Sequence, residues 1–213
     1  DTARAYTNSE HRIGLVLQKI DRPVILSTKS LVRSAKIYNE VQESLKQMKV
    51  KKINIYHLHG VSNFEDYEKV MAPGGAYEGL KRARDEGLID YIGITSHNLN
   101  VLERAVMEGQ IEVIMACYSF LEPDAAQKVF SMAKEKDIGV LAMKPFSGGV
   151  IEEAGPALRF VLSTANIVPI PGSETLEKAR ENWKIFREGY SLTGQDKERI
   201  ETIKKEFDHQ FCR

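Results

Sequence analysis

Apolar residues return along this chain in two alternating rhythms. After Ser9, residues Ile13, Val16, Leu17 and Ile20 recur at spacings of three and four and predict a helix, which Asp21-Arg-Pro23 ends. Pro23-Val-Ile-Leu-Ser27 is then short, apolar and β-branched, and predicts a strand. Residues 35–48 carry Ile37, Val41, Leu45 and Met48 on one helical face and lead into a strand at 53–58. Helix and strand follow in pairs at 76–86 and 90–95, 99–107 and 113–118, 124–136 and 139–143, and 151–162 and 167–171, with a further helix over 175–186. No hairpin signal interrupts them, so the alternation predicts an α/β fold in which helices cover a parallel sheet.

Six strands are predicted, each preceded by a helix, and Asp1 stands where another strand would be ending. A doubly wound sheet that binds a dinucleotide shows a Gly-rich turn after its first strand, and this chain has none there. In a (β/α)8 TIM barrel, catalytic residues come instead from the C-terminal ends of several strands. Asp1, Lys29 and His59 sit at or just past such ends. A barrel of this type takes about 250 residues, whereas the chain has 213. The expectation is one barrel domain over residues 1–213 that lacks its N-terminal strand-helix units and closes with a helix over about 194–207. The long connection over 61–75 carries Phe64, Tyr67 and Met71, which either form an apolar wall beside a substrate or, the favoured reading, pack a short helix.

Composition narrows the picture. Thirty basic residues balance thirty acidic ones, which removes the simplest argument for nucleic acid or an anionic membrane as partner. Two cysteines, Cys117 and Cys212, are too few for a disulfide framework and point to a reducing, cytoplasmic setting. No apolar run reaches the roughly 20 residues of a membrane helix.

The chemistry lies in Asp1, Tyr6, Lys29 and His59. A phenol gives up its proton readily near neutral pH only when a nearby charge stabilises the phenolate, and Lys29 could supply that charge. A lysine drawn into a barrel mouth tends to neutralise unless a carboxylate such as Asp1 holds its proton. Tyr6 is then the expected proton donor, and His59 a hydrogen-bond donor to a substrate oxygen. Taken singly, each has a commoner role as cap, solvated charge or satisfied imidazole. His57 is read as structural, on the strand face opposite His59.

Asp1-Thr-Ala with Tyr6, Glu10 and Ile13-Gly14; Ser27-Thr-Lys29-Ser; Ile55-Tyr-His-Leu-His59; Gly93-Ile-Thr-Ser96; and Ile170-Pro-Gly-Ser173 with Glu181-Asn182 together resemble the aldo-keto reductases along nearly the whole chain. The resemblance implies a (β/α)8 barrel that reduces aldehydes and ketones with a nicotinamide cofactor, and it maps Asp1, Tyr6, Lys29 and His59 onto the family's catalytic tetrad. It places Thr95 and Ser96 at the nicotinamide carboxamide, where many members carry Ser-Asn. Met143 stands where the stacking aromatic falls and Met115 near the carboxamide-binding glutamine, both departures from the family pattern.

Around the phosphates the resemblance points to Lys144, Pro145, Phe146 and Gly148, the Ser147-Gly-Gly149 backbone offering N–H groups. Gly172, Ser173, Glu174 and Thr175 then enter a helix whose N-terminus favours an anion. Gly172 occupies a position where NADPH-preferring members often have lysine, and Lys178 aligns with their arginine. Glu181 and Asn182 correspond to adenine contacts, while Trp183 is read as packing. NADP(H) is the expected cofactor, with NAD(H) the alternative. Phe211-Cys212-Arg213 resembles the start of the cysteine-rich, ferredoxin-like tail of one branch of the family, but one cysteine holds no cluster and no metal site is expected.

The leading expectation is thus an NADPH-dependent carbonyl reductase acting on a small molecule. Two alternatives remain open: a barrel that senses nicotinamide nucleotide without turnover, and a Schiff-base aldolase that uses Lys29. Oligomeric state is not specified by the sequence.

Overall fold

The computed structural model describes residues 1–211, so Cys212 and the expectation attached to it lie outside the described residues. By contacts the chain divides into two compact units: residues 1–115 with 135–138, and residues 116–134 with 139–213.

The first unit runs α1 (Ser9–Leu17), β1 (Ser27–Ser30), α2 (Ile37–Met48), β2 (Ile53–Leu58), α3 (Phe64–Met71), α4 (Ala76–Asp85), β3 (Ile89–Ser96) and α5 (Leu99–Glu108), and β4 (Val113–Cys117) begins in it. β1, β2 and β3 are parallel neighbours, in a register that puts Lys29 opposite His57 and His57 opposite Gly93. Because side chains alternate along a strand, the ladder has two distinct faces. Tyr56 opposite Ile92 and Leu58 opposite Ile94 are fully buried. The Tyr56 hydroxyl meets Ser44 of α2 at 3.2 Å, which marks this as the helix-covered face. Each such aliphatic side chain contributes about 1.5–3 kcal/mol by leaving water. The other face carries Ser27, Lys29, His57 and Gly93.

Two details differ from the sequence expectation. β1 is not the apolar run at 23–27: Ile25 is 77% exposed, and the strand is the polar Ser27-Thr-Lys-Ser30, buried throughout. Backbone pairing decides this, since Ser27 and Lys29 carbonyls accept the N–H groups of Thr2 and Arg4 on the side away from β2, both at 2.9 Å. Nor is the apolar stripe of α1 its buried face. Val16 is 56% exposed, while Gly14 lies against α2 so closely that a Cβ there would stand 2.6 Å from the Gln47 carbonyl oxygen. The two helices meet backbone to backbone. α2 ends where Lys49 turns left-handed, at φ 55°.

The long connection folds as expected into a short helix. The Asn63 side chain caps α3 by accepting the Asp66 N–H, and Tyr67 and Val70 are buried.

The second unit contains most of α6 (Pro123–Glu135), then β5 (Gly139–Met143), a 3-10 turn (Ser147–Gly149), α7 (Ala154–Leu162), β6 (Ile167–Pro169), α8 (Leu176–Glu188) and α9 (Gly194–Phe211). β5 and β6 are parallel, with Val140 opposite Ile167. Its core gathers Phe120, Ile151, Ala157, Ile200 and Ile203, with Phe146 and Phe160 packed against them. Arg159 of α7 holds Asp196 of α9 at 3.0 Å. Trp183 packs in the open: it is 55% exposed, and its ring stacks on Phe186 with centroids 5.6 Å apart. Among the described residues, no helix is long and apolar enough to cross a membrane and no cluster of candidate metal ligands occurs.

Candidate active site

Asp1 and Tyr6 belong to a segment fixed at several points. Besides the backbone pairing of Thr2 and Arg4 with β1, the Arg4 guanidinium binds the Glu10 carboxylate at 2.7 Å and that of Glu40 at 3.0 Å. Glu10 is buried and accepts a further bond from the Thr28 hydroxyl at 2.7 Å. This network joins the segment to β1 and α2, so Asp1 meets β1 in a fixed register.

Lys29 lies inside β1, not beyond a strand end, and is 2% exposed. Its ammonium donates to Asp1 Oδ2 at 2.6 Å and to the Thr2 carbonyl at 2.7 Å. Asp1 Oδ1 accepts the Ser27 hydroxyl at 2.9 Å. Burial draws the Lys29 pKa down to about 8. The adjacent carboxylate favours the charged form, but desolvation is the larger effect. The same ammonium is 5.2 Å from the centroid of the Tyr6 ring, which is 47% exposed. The Tyr6 ring in turn meets that of His59 edge-on, with centroids 6.0 Å apart. The structure thus brings all four expected residues together within one unit.

His59 follows β2 and is partly buried. Its pKa falls to about 4, first through desolvation and then through the charges of Lys29, Arg33 and His97. It is therefore neutral near pH 7. Its Nδ1 is buried without a hydrogen-bond partner, which leaves Nε2 as the ring nitrogen able to serve a ligand.

His57 requires a correction. Residues two apart in a strand share a face, so His57 points to the same side as His59, and Lys29 acts electrostatically on both. His57 is fully buried, with Nε2 3.0 Å from the Ser27 hydroxyl oxygen. Since Ser27 gives its proton to Asp1, it accepts one from His57 Nε2–H. Nδ1 then faces Gly93, where an added Cβ would stand 2.1 Å away. Sequence reading missed Ser27, Thr2 and Gly93 as supports of the cluster; the strand register is the signal that finds them.

Thr95 and Ser96 close the loop after His59. Thr95 Oγ1 accepts the Gly60 N–H at 2.8 Å, and the Ser96 hydroxyl donates to the Val61 carbonyl at 2.6 Å while accepting the Asn98 N–H at 2.9 Å. Both side chains are buried, as is Met115.

The remaining candidates belong to the second unit. Pro145 is buried and Phe146 packs into the core, whereas Lys144 and Gly148 are exposed. Ser147, Gly148 and Gly149 have successive φ of 48°, 74° and 100°, a left-handed run in which the Ser147 and Gly149 N–H groups donate to the Lys144 and Phe146 carbonyls at 2.8 and 2.9 Å. Gly172, Ser173, Glu174 and Thr175 are exposed and lead into α8, where the Thr175 hydroxyl caps the helix by accepting the Lys178 N–H at 3.2 Å. The Lys178 ammonium binds Glu174 at 2.8 Å. Glu181 is exposed, and Asn182 donates to the Ser173 hydroxyl at 3.0 Å.

Residues 1–156 match the Aldo/keto reductase family. D-threo-aldose 1-dehydrogenase of a Pseudomonas species is 30% identical over 118 residues, 54% of this chain and 35% of that protein. The uncharacterized oxidoreductase YqkF of Bacillus subtilis is 29% identical over 168 residues, 72% of this chain and 53% of that one. The chain thus spans between a third and somewhat over half of these two relatives. Among solved structures, the holo form of aldo-keto reductase AKR11C1 from Bacillus halodurans superposes with a TM-score of 0.77 at 22% identity, covering 95% of this chain and 81% of that one. An aldo/keto reductase from Klebsiella pneumoniae in complex with NADP and acetate does so with a TM-score of 0.75 at 16% identity, covering 95% and 78%. These likenesses fix the fold as TIM-barrel-like, with six strands among the described residues. On the match to residues 1–156, the chain belongs to the aldo/keto reductase family.

Proposed function

We propose that the chain carries the catalytic tetrad of a carbonyl reductase using NADPH, with Tyr6 as proton donor. The observation that supports this best is the shared Lys29 ammonium, bound to Asp1 at 2.6 Å and 5.2 Å from the Tyr6 ring. A bound nicotinamide supplies the hydride that the carbonyl carbon accepts. Tyr6 gives its hydroxyl proton to the carbonyl oxygen, and the Lys29 charge stabilises the phenolate left behind. His59, neutral, donates Nε2–H to the same oxygen and orients it. Asp1 keeps Lys29 protonated against the cost of burial.

For the cofactor, the exposed residues 172–175 and the first turn of α8 suit phosphate oxygens, with the exposed Gly148 beside them in the proposed contacts. Lys178 would exchange Glu174 for the 2′-phosphate that distinguishes NADPH from NADH. Met143, Gly172, Glu181 and Asn182 complete the proposed contacts, and Thr95 and Ser96 serve the nicotinamide end through the loop they fix. The NADP named in the Klebsiella structure agrees with this reading.

In the full-length protein, Tyr6→Phe is expected to lower kcat for aldehyde reduction by ~10²–10⁴-fold while leaving NADPH binding by calorimetry unchanged. A wild-type protein that binds NADPH yet transfers no hydride in a single turnover with a panel of aldehydes and ketones would instead favour a nucleotide sensor.

One observation favours the aldolase: a lysine pKa near 8 makes a better amine nucleophile. Against it, Lys29 is 2% exposed with two N–H bonds already made. Borohydride trapping of a carbonyl compound on Lys29 would establish that reading.

A further inference from the structure

Arg33 lies four residues past the tetrad lysine, and no motif marks it. Its guanidinium has five N–H donors, and each has an acceptor. Nε and one Nη2 hydrogen reach the two oxygens of Asp66 on α3, at 2.7 and 2.8 Å. The other Nη2 hydrogen reaches the Gly60 carbonyl at 3.1 Å. The two Nη1 hydrogens reach the carbonyls of His59 at 2.8 Å and Leu31 at 3.2 Å. One planar fork therefore ties the end of β1, the backbone of His59 and its successor, and the helix beyond them. Only a guanidinium can fill this arrangement; an ammonium has three donors and no plane.

The fork acts where strand pairing stops. The His59 N–H still pairs with the Ser30 carbonyl at 3.0 Å, but beyond it Gly60 turns left-handed, at φ 63°, and the chain leaves the sheet. The His59 and Gly60 carbonyls would face water at this turn. Arg33 takes both, and Thr95 takes the Gly60 N–H from the other side. The backbone carrying the His59 ring is thereby held on two sides.

We propose that Arg33 is a positioning residue for the proposed reduction, acting through the His59 backbone to hold the His59 ring where it orients the substrate oxygen. The inference rests on the reductase reading for its kinetic part alone. Groups facing the His59 ring are Tyr6, Lys29, Arg33, His57 and His97.

The test uses full-length protein with Arg33→Lys, which keeps the charge without the fork, and Arg33→Gly, assayed with and without added guanidinium. Both are expected to lower kcat/KM for an aldehyde by ~10–100-fold with NADPH affinity unchanged, since a displacement of about 1 Å costs this much. Guanidinium should restore activity to Arg33→Gly and not to Arg33→Lys. By NMR, the His59 titration should move in Arg33→Lys as well, where a charge is kept and only the fork is lost, and in Arg33→Gly it should return when guanidinium is added. Loss of melting temperature in both variants, with the His59 titration and kcat/KM within twofold of wild type, would overturn the proposal. Should Arg33→Gly not fold, Asp66→Asn, which loosens the same fork while keeping the guanidinium, takes its place in the kcat/KM measurement, with the same loss expected. A wild type that reduces no carbonyl would refute the reductase reading and leave the His59 titration to decide the role of Arg33.

Discussion

Two lysine–carboxylate pairs of nearly equal length occur in this chain and behave in opposite ways. Lys29 and Asp1 lie 2.6 Å apart with side chains 3% and 15% exposed, whereas Lys178 and Glu174 lie 2.8 Å apart at 58% and 82%. Burial lowers the Lys29 pKa to about 8; hydrogen bonding to Glu174 raises that of Lys178. Solvent makes the difference. The buried pair has further partners in Thr2 and Ser27, so neither member moves without breaking several bonds. The exposed pair resembles surface ion pairs, worth about 0–1 kcal/mol, and can change partner cheaply. One pair suits holding a geometry, the other receiving an anion.

The largest effect expected from disturbing this contrast is that of Lys29→Met. It strands the Asp1 carboxylate and should cost roughly 1–3 kcal/mol in urea unfolding, with kcat falling at least about a hundredfold. If Lys29→Met were as harmless as Lys178→Met, the buried pair would not be structural.

Gly93→Ala probes the floor of the same cluster. A methyl group 2.1 Å from His57 Nδ1 has to displace a fully buried ring. Overpacking of this kind costs about 1–3 kcal/mol. His57→Ala in the same protein should recover part of that loss, a coupling that thermal melts of the four cycle members would reveal.

pH separates the pairs further. Lys29 binds its proton less tightly folded than unfolded, so between pH 8 and 10.5 the unfolded chain holds more protons and stability should rise with pH. The same sign holds for His59 between pH 4 and 6.5: acidification through that window destabilises the fold. Lys178, whose pKa is raised, contributes stability below its unfolded pKa and loses it as pH rises through the folded value. Denaturant midpoints against pH for wild type and Lys29→Met should differ in slope over pH 8–10.5.

The smallest expected change in stability is that of Lys178→Ala, within about 0.5 kcal/mol. Its effect should be on nucleotide choice: NADPH binding weakens by about tenfold while NADH binding stays the same, as calorimetry would show. Equal weakening of both would remove Lys178 from the 2′-phosphate.

Periodicity made the architecture legible, since β2 over 53–58 and β5 over 139–143 fall where apolar runs begin and end. It failed at β1, because a strand whose inward residues are Ser27 and Lys29 carries no hydrophobic signal, while Val24 and Ile25 before it do. Asp1, Tyr6, Lys29 and His59 stood out by motif, and the structure brings them together. Their supports did not stand out: Ser27, Gly93 and Arg33 act through register and through backbone carbonyls, which leave no mark on composition. Trp183 does pack, on Phe186, but in the open, an exposure that its size does not reveal.

The spacing of the cluster's bonds bears on how the protein folds. Lys29 reaches back 28 residues to Asp1, Ser27 reaches 30 forward to His57, Arg33 26 to His59 and 33 to Asp66, and Gly60 35 to Thr95. Each closure spans about one strand-helix repeat, and loop-closure entropy grows only slowly with length. The cluster is therefore built from short closures, each strand fixing residues of the one before it, a pattern of low contact order that favours fast folding.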